Sequence, residues 1–290
     1  MQKNKMKNFI RKISPEEKMN NNINTLVIKN FSECPYKSAV IHRLGVKIIE
    51  KNKSFLSLSD RGKIIHKILE SIWKIIRNSL HLENMTNIEI DIMIKENILK
   101  TLRSCHHYFE FIPEYIKQIE IRKIRELLSR WMEYEKKREQ NFSVIELEKK
   151  FAVNISGFSI SLRIDRIDLL DNMKRIVIDY KTSEKLNIRK IINHPETNPQ
   201  LHIYSTYVKV QELFVAKINE KRSKLISISK EIEKKYCHLQ SKSEADNQLK
   251  RKIEKILHQY GSGKIIAKPS IKNCKTCEIS KVCNYSIGEY

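Results

Sequence analysis

Apolar residues recur at helical spacing in the first half of the chain. The clearest stretch runs from Ser57 to Asn78, where the spacing i, i+3, i+4, i+7 gives one apolar stripe. This stripe consists of Ile65, Ile68, Leu69, Ile72 and Ile76. Two further stretches, at 87–104 and from Pro113 to about Gln140, also have helical character. The pattern therefore predicts a group of helices in this half of the chain.

The period changes to two in the middle of the chain. Residues 143–153, 158–170 and 175–182 alternate in polarity and are rich in β-branched residues, as strands are. Ser156-Gly157 and Asp171-Asn172 supply turns between them. The sequence therefore predicts three successive antiparallel strands.

Helical patterns return after these strands. Residues 200–215 predict a helix, and the Lys-rich stretch at 219–260 also has a helical tendency. Gly261-Ser262-Gly263 then interrupts the chain before a cysteine-containing tail. The order of helices, strand meander, helix and tail indicates an α+β or α/β fold with a central sheet.

Lysine and arginine outnumber the acidic residues by a wide margin. The 290 residues carry a formal net charge of +22, and the pI is about 9.6. This excess favours a polyanionic partner, because Lys and Arg displace the counterions of a phosphate backbone. It also fits codon drift in an AT-rich genome, since the chain is rich in Ile and Asn as well. Charge alone therefore makes nucleic acid a first hypothesis only.

The first 22 residues are polar and basic and predict a flexible arm. They lack the apolar core of a secretory signal, and no apolar stretch has the length of a membrane span. A cytoplasmic protein without a membrane partner is expected. The six Cys are therefore expected to be thiols or metal ligands before they are disulfides.

An aspartate and a lysine lie side by side on the third predicted strand. Asp179 and Lys181 are alternate residues, so they share one face of an otherwise apolar strand. The preceding strand brings Asp165 alongside by a short connection. Two carboxylates can hold Mg²⁺, which lowers the pKa of a bound water, and a lysine can steady a pentavalent phosphate. By themselves, however, such residues are more often ordinary ion pairs on a solvated sheet.

Five short segments together follow the order of a known series of motifs. Residues 162–168 and 176–182 closely resemble the RIDRID and IDYKT signature of RecB/AddB-type nucleases in the PD-(D/E)xK superfamily. Residues 60–66 resemble the family's RG-x-x-x-H helix, residues 198–204 its PQL-x-x-Y helix, and residues 32–36 its first cysteine segment. The resemblance implies a restriction-endonuclease-like core, in which helices flank a central mixed sheet, with a helical insertion and a metal-cluster tail.

The resemblance also implies roles for individual residues. His66, Asp165, Asp179 and the carbonyl of Tyr180 would bind Mg²⁺ or Mn²⁺. Lys181 would be the catalytic lysine, which orients the attacking water.

Other residues near these segments have less certain partners. By the resemblance, Gln200 and Tyr204 would support the lysine or touch DNA; alternatively, they are a helix-cap residue and a half-buried aromatic. Asp168 is expected to pair with Arg166 or Arg163 in preference to a metal. Glu148 is a candidate outer carboxylate of the site, although a surface ion pair is the simpler interpretation.

Three cysteines lie close together in the tail, at Cys274, Cys277 and Cys283. Cys-x-x-Cys spacing brings two thiolates to one metal ion or cluster, and the third follows by a short loop. Sequence alone does not separate an iron–sulfur cluster from a zinc site, because both accept four thiolates. The resemblance points to Cys34 as the fourth ligand and to a [4Fe–4S] cluster, with Zn²⁺ as the alternative.

The resemblance implies a basic arm at 1–22 and one nuclease domain at 23–290. The parts of this domain would be a helical part at 23–142, a catalytic core at 143–217, a basic helical region at 218–262 and a cysteine tail at 263–290.

The predicted function is Mg²⁺-dependent hydrolysis of DNA in recombination or repair, with contacts to the DNA backbone and no base readout. In the family that the chain resembles, this domain usually follows a helicase-like region. The chain has no Walker A motif, so the resemblance implies the nuclease module alone, either free-standing or detached from a helicase-like partner. The alternatives are a non-catalytic DNA-binding scaffold subunit of a helicase–nuclease complex and an RNA-directed nuclease. Intact Asp165, Asp179 and Lys181 favour the enzyme over the scaffold.

Overall fold

The computed structural model describes nine segments of the chain. These are residues 10–12, 20–47, 55–183, 186–208, 211–219, 223–235, 242–268, 270–275 and 277–283. The helices are α1 (Thr25–Glu33), α2 (Pro35–His42), α3 (Leu58–Ile76), α4 (Ser79–Asn84), α5 (Asn87–Ser104), α6 (Glu114–Lys136), α7 (Ile188–Asn193), α8 (Pro199–Tyr207), α9 (Ile228–Lys235), α10 (Lys242–Gly261) and α11 (Ile271–Cys274). The strands are β1 (Ile10–Lys12), β2 (Asn22–Asn24), β3 (Phe142–Ile155), β4 (Phe158–Leu170), β5 (Arg175–Lys181), β6 (Glu212–Lys217), β7 (Lys224–Ser227) and β8 (Lys264–Ile266). Across these segments, every helix is too short or too polar to cross a membrane.

Six strands form one mixed sheet in which β4 is the central partner. Strands β3 and β5 both pair with β4 in the antiparallel sense, as the sequence predicts. Strand β6 then adds parallel to β5, and β7 adds antiparallel to β6. The short strand β2 pairs parallel with the beginning of β4. Together with the helices on either side, this sheet confirms the predicted fold class.

One edge of β4 is shared by two strands with a gap between them. Strand β2 pairs with β4 at 159–161, whereas β5 pairs with it only at 166–169. Because β3 runs along the opposite edge, residues 162–165 have no strand partner on this edge within the described segments. The backbone groups in this gap need other partners. The residues that supply them are also the candidate site residues.

Helices cover both faces of the sheet and enclose two apolar cores. Ile176 and Ile178 of β5 lie in the core that helices α3, α4, α5 and α6 form. Val177, between them, lies in the second core, which is built mainly from α1, α8, α9 and α10. Alternate residues of β5 therefore serve opposite layers, as expected for a central strand of a three-layer fold.

Helix α3 forms where the sequence predicts it and is deeply buried. The Oγ of Ser57 caps its first turn by accepting a hydrogen bond from the Asp60 N–H at 3.1 Å. Its inward side chains, all completely buried, are Ile64, Ile65, Ile68, Leu69, Ile72, Trp73 and Ile76. Full burial of one such apolar side chain contributes about 1.5–3 kcal/mol. The helix is therefore a rigid support for the side chains that it presents to the sheet.

The helix predicted at 200–215 is shorter than expected. Helix α8 ends at Tyr207, and Glu212–Lys217 is strand β6. Leu213 and Ala216 are buried in opposite cores, so this strand is covered on both faces. A strand covered on both faces has a continuous apolar run, which periodicity alone does not distinguish from a buried helix.

Two other regions contain strands that the sequence did not predict. Ile10–Lys12, within the predicted arm at 1–22, pairs antiparallel with β8, and the other residues before Asn20 lie outside the described segments. Lys224–Ser227, within the predicted helical region at 218–262, adds to the main sheet as β7. Both strands are short and depend on distant partners, so local patterns do not indicate them. The domain boundaries themselves stay a prediction.

Candidate active site

Asp165 lies in the gap along β4, one residue before the ladder with β5 begins. Its Oδ2 accepts a hydrogen bond from the backbone N–H of Tyr180 at 2.8 Å, so the side chain takes the place of a ladder carbonyl. The residue is only 5% exposed. A buried carboxylate needs donors or opposite charge around it. Here the neighbouring strand supplies a donor and fixes the carboxylate in position.

Helix α3 brings His66 against the same carboxylate. Its Nδ1 lies 3.2 Å from Oδ1 of Asp165, and its Nε2 lies 3.1 Å from the carbonyl oxygen of Tyr180. Burial by itself lowers the pKa of the imidazole, but the carboxylates of Asp165 and Asp179 outweigh burial and raise this pKa. The structure thus brings together three of the predicted metal ligands: the imidazole, the Asp165 carboxylate and the Tyr180 carbonyl.

The position of His66 depends on a close approach of α3 to the end of β5. A Cβ added at Gly62 would lie 3.2 Å from Oγ1 of Thr182, which is a tight contact. The neighbouring Arg61 forms a two-pronged ion pair with Glu120 of α6, with both N···O distances at 2.8 Å. The glycine therefore allows the approach, and the arginine ties α3 to the helix behind it.

Asp179 and Lys181 lie on β5 and form an ion pair, although Oδ2 of Asp179 accepts no well-aligned hydrogen bond within the described segments. Burial raises the pKa of Asp179, and the nearby Asp165 adds to this effect, while Lys181 opposes it. Burial lowers the pKa of Lys181, but the two carboxylates outweigh burial and raise it, so the ammonium stays charged. Burial raises the pKa of Asp165, but His66 and Lys181 outweigh burial and lower it. These groups therefore act as one electrostatic unit.

Glu148 of β3, predicted as an outer carboxylate or a surface ion pair, joins this unit. One ligand atom from each of His66, Glu148 and Asp165 lies within 4.8 Å of the other two. Glu148 also pairs with Arg163, whose Nε lies 2.7 Å from Oε2. Its φ of 49° is a left-handed conformation that non-glycine residues rarely adopt. The sequence names Glu148 as a candidate outer carboxylate, and the register of β3 with β4 sets position 148 opposite position 165.

Gln200 and Tyr204 fill the remaining part of the gap along β4. The Nε2 of Gln200 donates to the carbonyl of Arg163 at 3.0 Å, and the hydroxyl of Tyr204 donates to the same oxygen. Burial and the nearby Asp179 raise the pKa of the Tyr204 hydroxyl, so it stays a donor. In the part of the chain that the structure describes, neither side chain hydrogen-bonds to Lys181. The structure places this predicted pair as a brace for β4, two residues before Asp165.

The donor set fits a hard divalent cation. The carboxylates of Asp165, Asp179 and Glu148 and the carbonyl of Tyr180 are oxygen donors, which Mg²⁺ and Mn²⁺ prefer. His66 adds a nitrogen donor of the kind that Mn²⁺ also accepts. The Oδ2 of Asp179 is buried and has the Lys181 ammonium beside it without a well-aligned hydrogen bond, so this oxygen also suits a cation.

The four cysteines that the family resemblance assigns to one metal group line a single cavity of about 140 Å³. They are Cys34, Cys274, Cys277 and Cys283, and none of them forms a disulfide. The backbone N–H of Lys268 donates to the Cys34 sulfur at 3.4 Å, and that of Ser270 donates to the Cys274 sulfur at 3.3 Å. Such N–H···S contacts stabilise metal-bound thiolates. The cavity therefore fits a group that binds four thiolates.

A buried ionic cluster lies next to the site on β4. Arg166, directly after Asp165, is completely buried. Its Nε and one terminal nitrogen donate to Asp168 at 2.5 and 2.6 Å, and the other donates to Glu135 of α6 at 2.9 Å. Its guanidinium carbon lies 3.8 Å from the centroid of the Trp73 ring. The prediction that Asp168 pairs with an arginine is confirmed, and the cluster ties β4 to α6.

Tyr180 links this cluster to the site. Its backbone N–H donates to Asp165 and its carbonyl oxygen contacts His66. Its hydroxyl oxygen lies 3.5 Å from a terminal nitrogen of Arg166. Its ring packs edge-on against Trp131, with the ring centroids 6.1 Å apart. Burial raises the pKa of the phenol, which therefore stays neutral.

Comparison with known proteins extends this description. The family model of the PD-(D/E)XK nuclease superfamily matches residues 25–284. Among solved structures, a protein from Eubacterium rectale described as a candidate exonuclease has a TM-score of 0.50 at 9% identity, covering 93% of this chain and 90% of that one. A second structure, SSO0001, has a TM-score of 0.32 at 17% identity, covering 89% of this chain and 94% of that one. None of the curated proteins compared with this chain matches it.

The likeness to the Eubacterium rectale protein is one of fold, because the identity is only 9%. The family match shows more than a shared fold, since it spans most of the chain and includes every predicted site residue from Cys34 to Cys283. The chain therefore belongs to the PD-(D/E)XK nuclease superfamily.

Proposed function

We propose that this protein is a divalent-metal-dependent nuclease that hydrolyses the phosphodiester backbone of DNA. The observation that carries the proposal is the convergence of His66, Asp165, Asp179 and Lys181 at the gap along β4. Superfamily membership supports nuclease chemistry. The net charge of +22 supports a polyanionic substrate.

The side chains present match the needs of phosphodiester hydrolysis. Asp165, Asp179 and His66 would hold Mg²⁺ or Mn²⁺, with the Tyr180 carbonyl as a further oxygen ligand. The bound ion would supply Lewis acidity and a water of lowered pKa. Lys181, kept charged by its carboxylate neighbours, would orient that water and donate to the phosphate oxygen on which charge develops.

Within this class, a RecB/AddB-like role in recombination or repair, beside a helicase-like subunit, is part of the same proposal. Its support is the order of the five motif segments and the place of four of them around one site, while the fifth carries Cys34 in the cysteine cavity. The Lys and Arg excess favours contacts to the DNA backbone, which carry no sequence information.

The test is a cleavage assay on labelled DNA. We expect cutting with Mg²⁺ or Mn²⁺ and none with EDTA, because the carboxylates alone cannot activate a water. Linear, circular and single-stranded DNA, with RNA of the same sequence, would be compared side by side. Binding without cutting in every metal would contradict the enzyme and favour the scaffold alternative. Cutting of the RNA alone would contradict the DNA substrate.

We further propose that Cys34, Cys274, Cys277 and Cys283 hold a [4Fe–4S] cluster. The cavity that these cysteines share and the N–H···S contacts at two of them support a thiolate-bound group, which would pin the tail to the junction of α1 and α2. A Cys₄ zinc site uses the same ligands and is the alternative.

Protein purified anaerobically is expected to be brown, with absorbance near ~400 nm and about four iron atoms per chain. Cys274→Ser should lose most of the iron. Cys105→Ser is the matched control, because Cys105 is buried beside Lys67 and does not line the cavity. Colourless protein with one zinc per chain would contradict the cluster and favour the zinc site.

A further inference from the structure

We propose that Arg163 binds a backbone phosphate next to the one that is cut, and that Glu148 holds its guanidinium ready for that contact. This inference rests on the proposed nuclease function and adds a substrate-binding residue to it. The sequence predicts only ordinary ion pairs for Arg163, which precedes Asp165 by two residues, and the structure pairs it with Glu148.

The Glu148 carboxylate lies between the Arg163 guanidinium and the predicted metal ligands. The Nε of Arg163 is 2.7 Å from Oε2 of Glu148. An oxygen of the same Glu148 carboxylate lies within 4.8 Å of ligand atoms of His66 and Asp165. When one phosphate of a DNA strand lies over these ligands, the next phosphate of the same DNA strand therefore lies close to Arg163.

Arg163 is the exposed member of this group. Its side chain is 55% exposed, whereas that of Glu148 is 15% exposed and that of Asp165 is 5% exposed. Lys181 is less exposed, at 25%, and already pairs with Asp179. Arg163 is therefore the cation of the group that a polyanion approaching from solvent can reach most easily.

The backbone of Arg163 is fixed before any substrate arrives. Its carbonyl oxygen accepts hydrogen bonds from Gln200 and Tyr204 of α8. Glu148 in turn fixes the side chain from β3. A cation anchored at both ends loses less conformational freedom on binding than a free surface lysine does.

A phosphate is the ligand that this arrangement fits. A guanidinium presents a planar fork of N–H donors that matches two oxygens of a carboxylate or a phosphate. The pair with Glu148 uses the Nε of Arg163, so a phosphate can bind at the terminal nitrogens while Glu148 keeps the guanidinium in place.

The inference is tested with Arg163→Met and Arg163→Lys. Binding of a fluorescent oligonucleotide to metal-free protein in EDTA would be measured by anisotropy across a range of salt. We expect Arg163→Met to weaken binding about tenfold, the loss typical of one charge-assisted hydrogen-bond pair, and to lower the slope of log K against log salt by about 0.7–0.9. Arg163→Lys should keep that slope but bind more weakly than wild type.

With metal present, Arg163→Met should raise KM about tenfold and change kcat by much less. Arg175→Met is the matched control, because Arg175 is an exposed arginine at the other end of β5, four residues before Asp179. It removes the same charge from the chain and should leave KM and the salt slope as in wild type. Circular dichroism of each variant would check the fold.

Two results would overturn the inference. Equal binding and equal salt slopes for the Arg163→Met and Arg175→Met variants would remove Arg163 from the substrate contact. If Arg163→Met changed only the Mn²⁺ concentration that cleavage needs, Arg163 would act as the counterion of Glu148 and would not bind a phosphate. Failure of wild-type protein to cut DNA would contradict the proposed function, which is a separate outcome because the binding measurement uses no metal.

Discussion

Substitution of methionine for Lys181 is expected to slow phosphodiester cleavage by about 10²–10⁴-fold, the range for loss of one catalytic donor or proton carrier. Methionine keeps much of the apolar length of the side chain and removes the ammonium that pairs with Asp179. Single-turnover cleavage of a labelled oligonucleotide measures the effect. Binding of the same oligonucleotide should change far less, because the half-buried ammonium acts mainly on the reacting phosphate.

The control for this experiment is Lys174→Met. Lys174 lies just before β5 and is exposed, with its Nζ 3.5 Å from a carboxylate oxygen of Glu212. Its loss removes the same charge at a distance from the site and should leave the cleavage rate unchanged. Equal rates for the Lys181 and Lys174 variants would show that the reaction does not use Lys181.

Arg166→Met is expected to lower the free energy of unfolding by about 3–5 kcal/mol, because it leaves buried carboxylates without their cation. Arg166 is the central partner of Asp168 and Glu135. Arg138 lies 3.2 Å from Asp168 and 2.9 Å from Glu135, but one guanidinium cannot replace two. Burial already raises the pKa of Asp168 with Arg166 in place. Urea unfolding of wild type and variant at neutral pH measures the loss.

Lys74→Met provides the comparison for that measurement. It breaks the pair between Lys74 and Glu70 on the surface of α3, where the lysine side chain is 61% exposed. Such a pair contributes about 0–1 kcal/mol. A variant at Arg166 that unfolds at the same urea concentration as the variant at Lys74 would contradict a stabilising role for the buried cluster.

The sequence predicts those parts of this fold whose patterns are local. Helix α3 follows from one apolar stripe, and the meander from β3 to β5 follows from alternation and its turns. The same alternation singles out Asp179 and Lys181 as candidate site residues, because charged side chains on one face of an apolar strand need a partner or a bound ion. The family resemblance added His66, whose own surroundings in the sequence are those of any amphipathic helix.

Other features were beyond sequence reasoning because they depend on contacts between distant segments. Strand β6 has a continuous apolar run, which fits a helix as well as a strand. Glu148 lies near Asp165 because the register of β3 with β4 sets position 148 opposite position 165, and a register depends on pairing between strands. Gln200 and Tyr204 were assigned to the site from their motif, but their shared partner, the Arg163 carbonyl, follows only from the gap in the sheet.

Tyr180 shows why this site can tolerate change in one place and not in another. Its backbone N–H donates to the Asp165 carboxylate and its carbonyl oxygen contacts the His66 imidazole, whereas its aromatic ring is buried in the interior. Every residue has a backbone carbonyl oxygen, and every residue except proline has a backbone N–H. The backbone atoms of Tyr180 thus belong to the candidate site, and its side chain belongs to the packing of the interior. Substitution of the side chain would therefore disturb the packing before it disturbs the site.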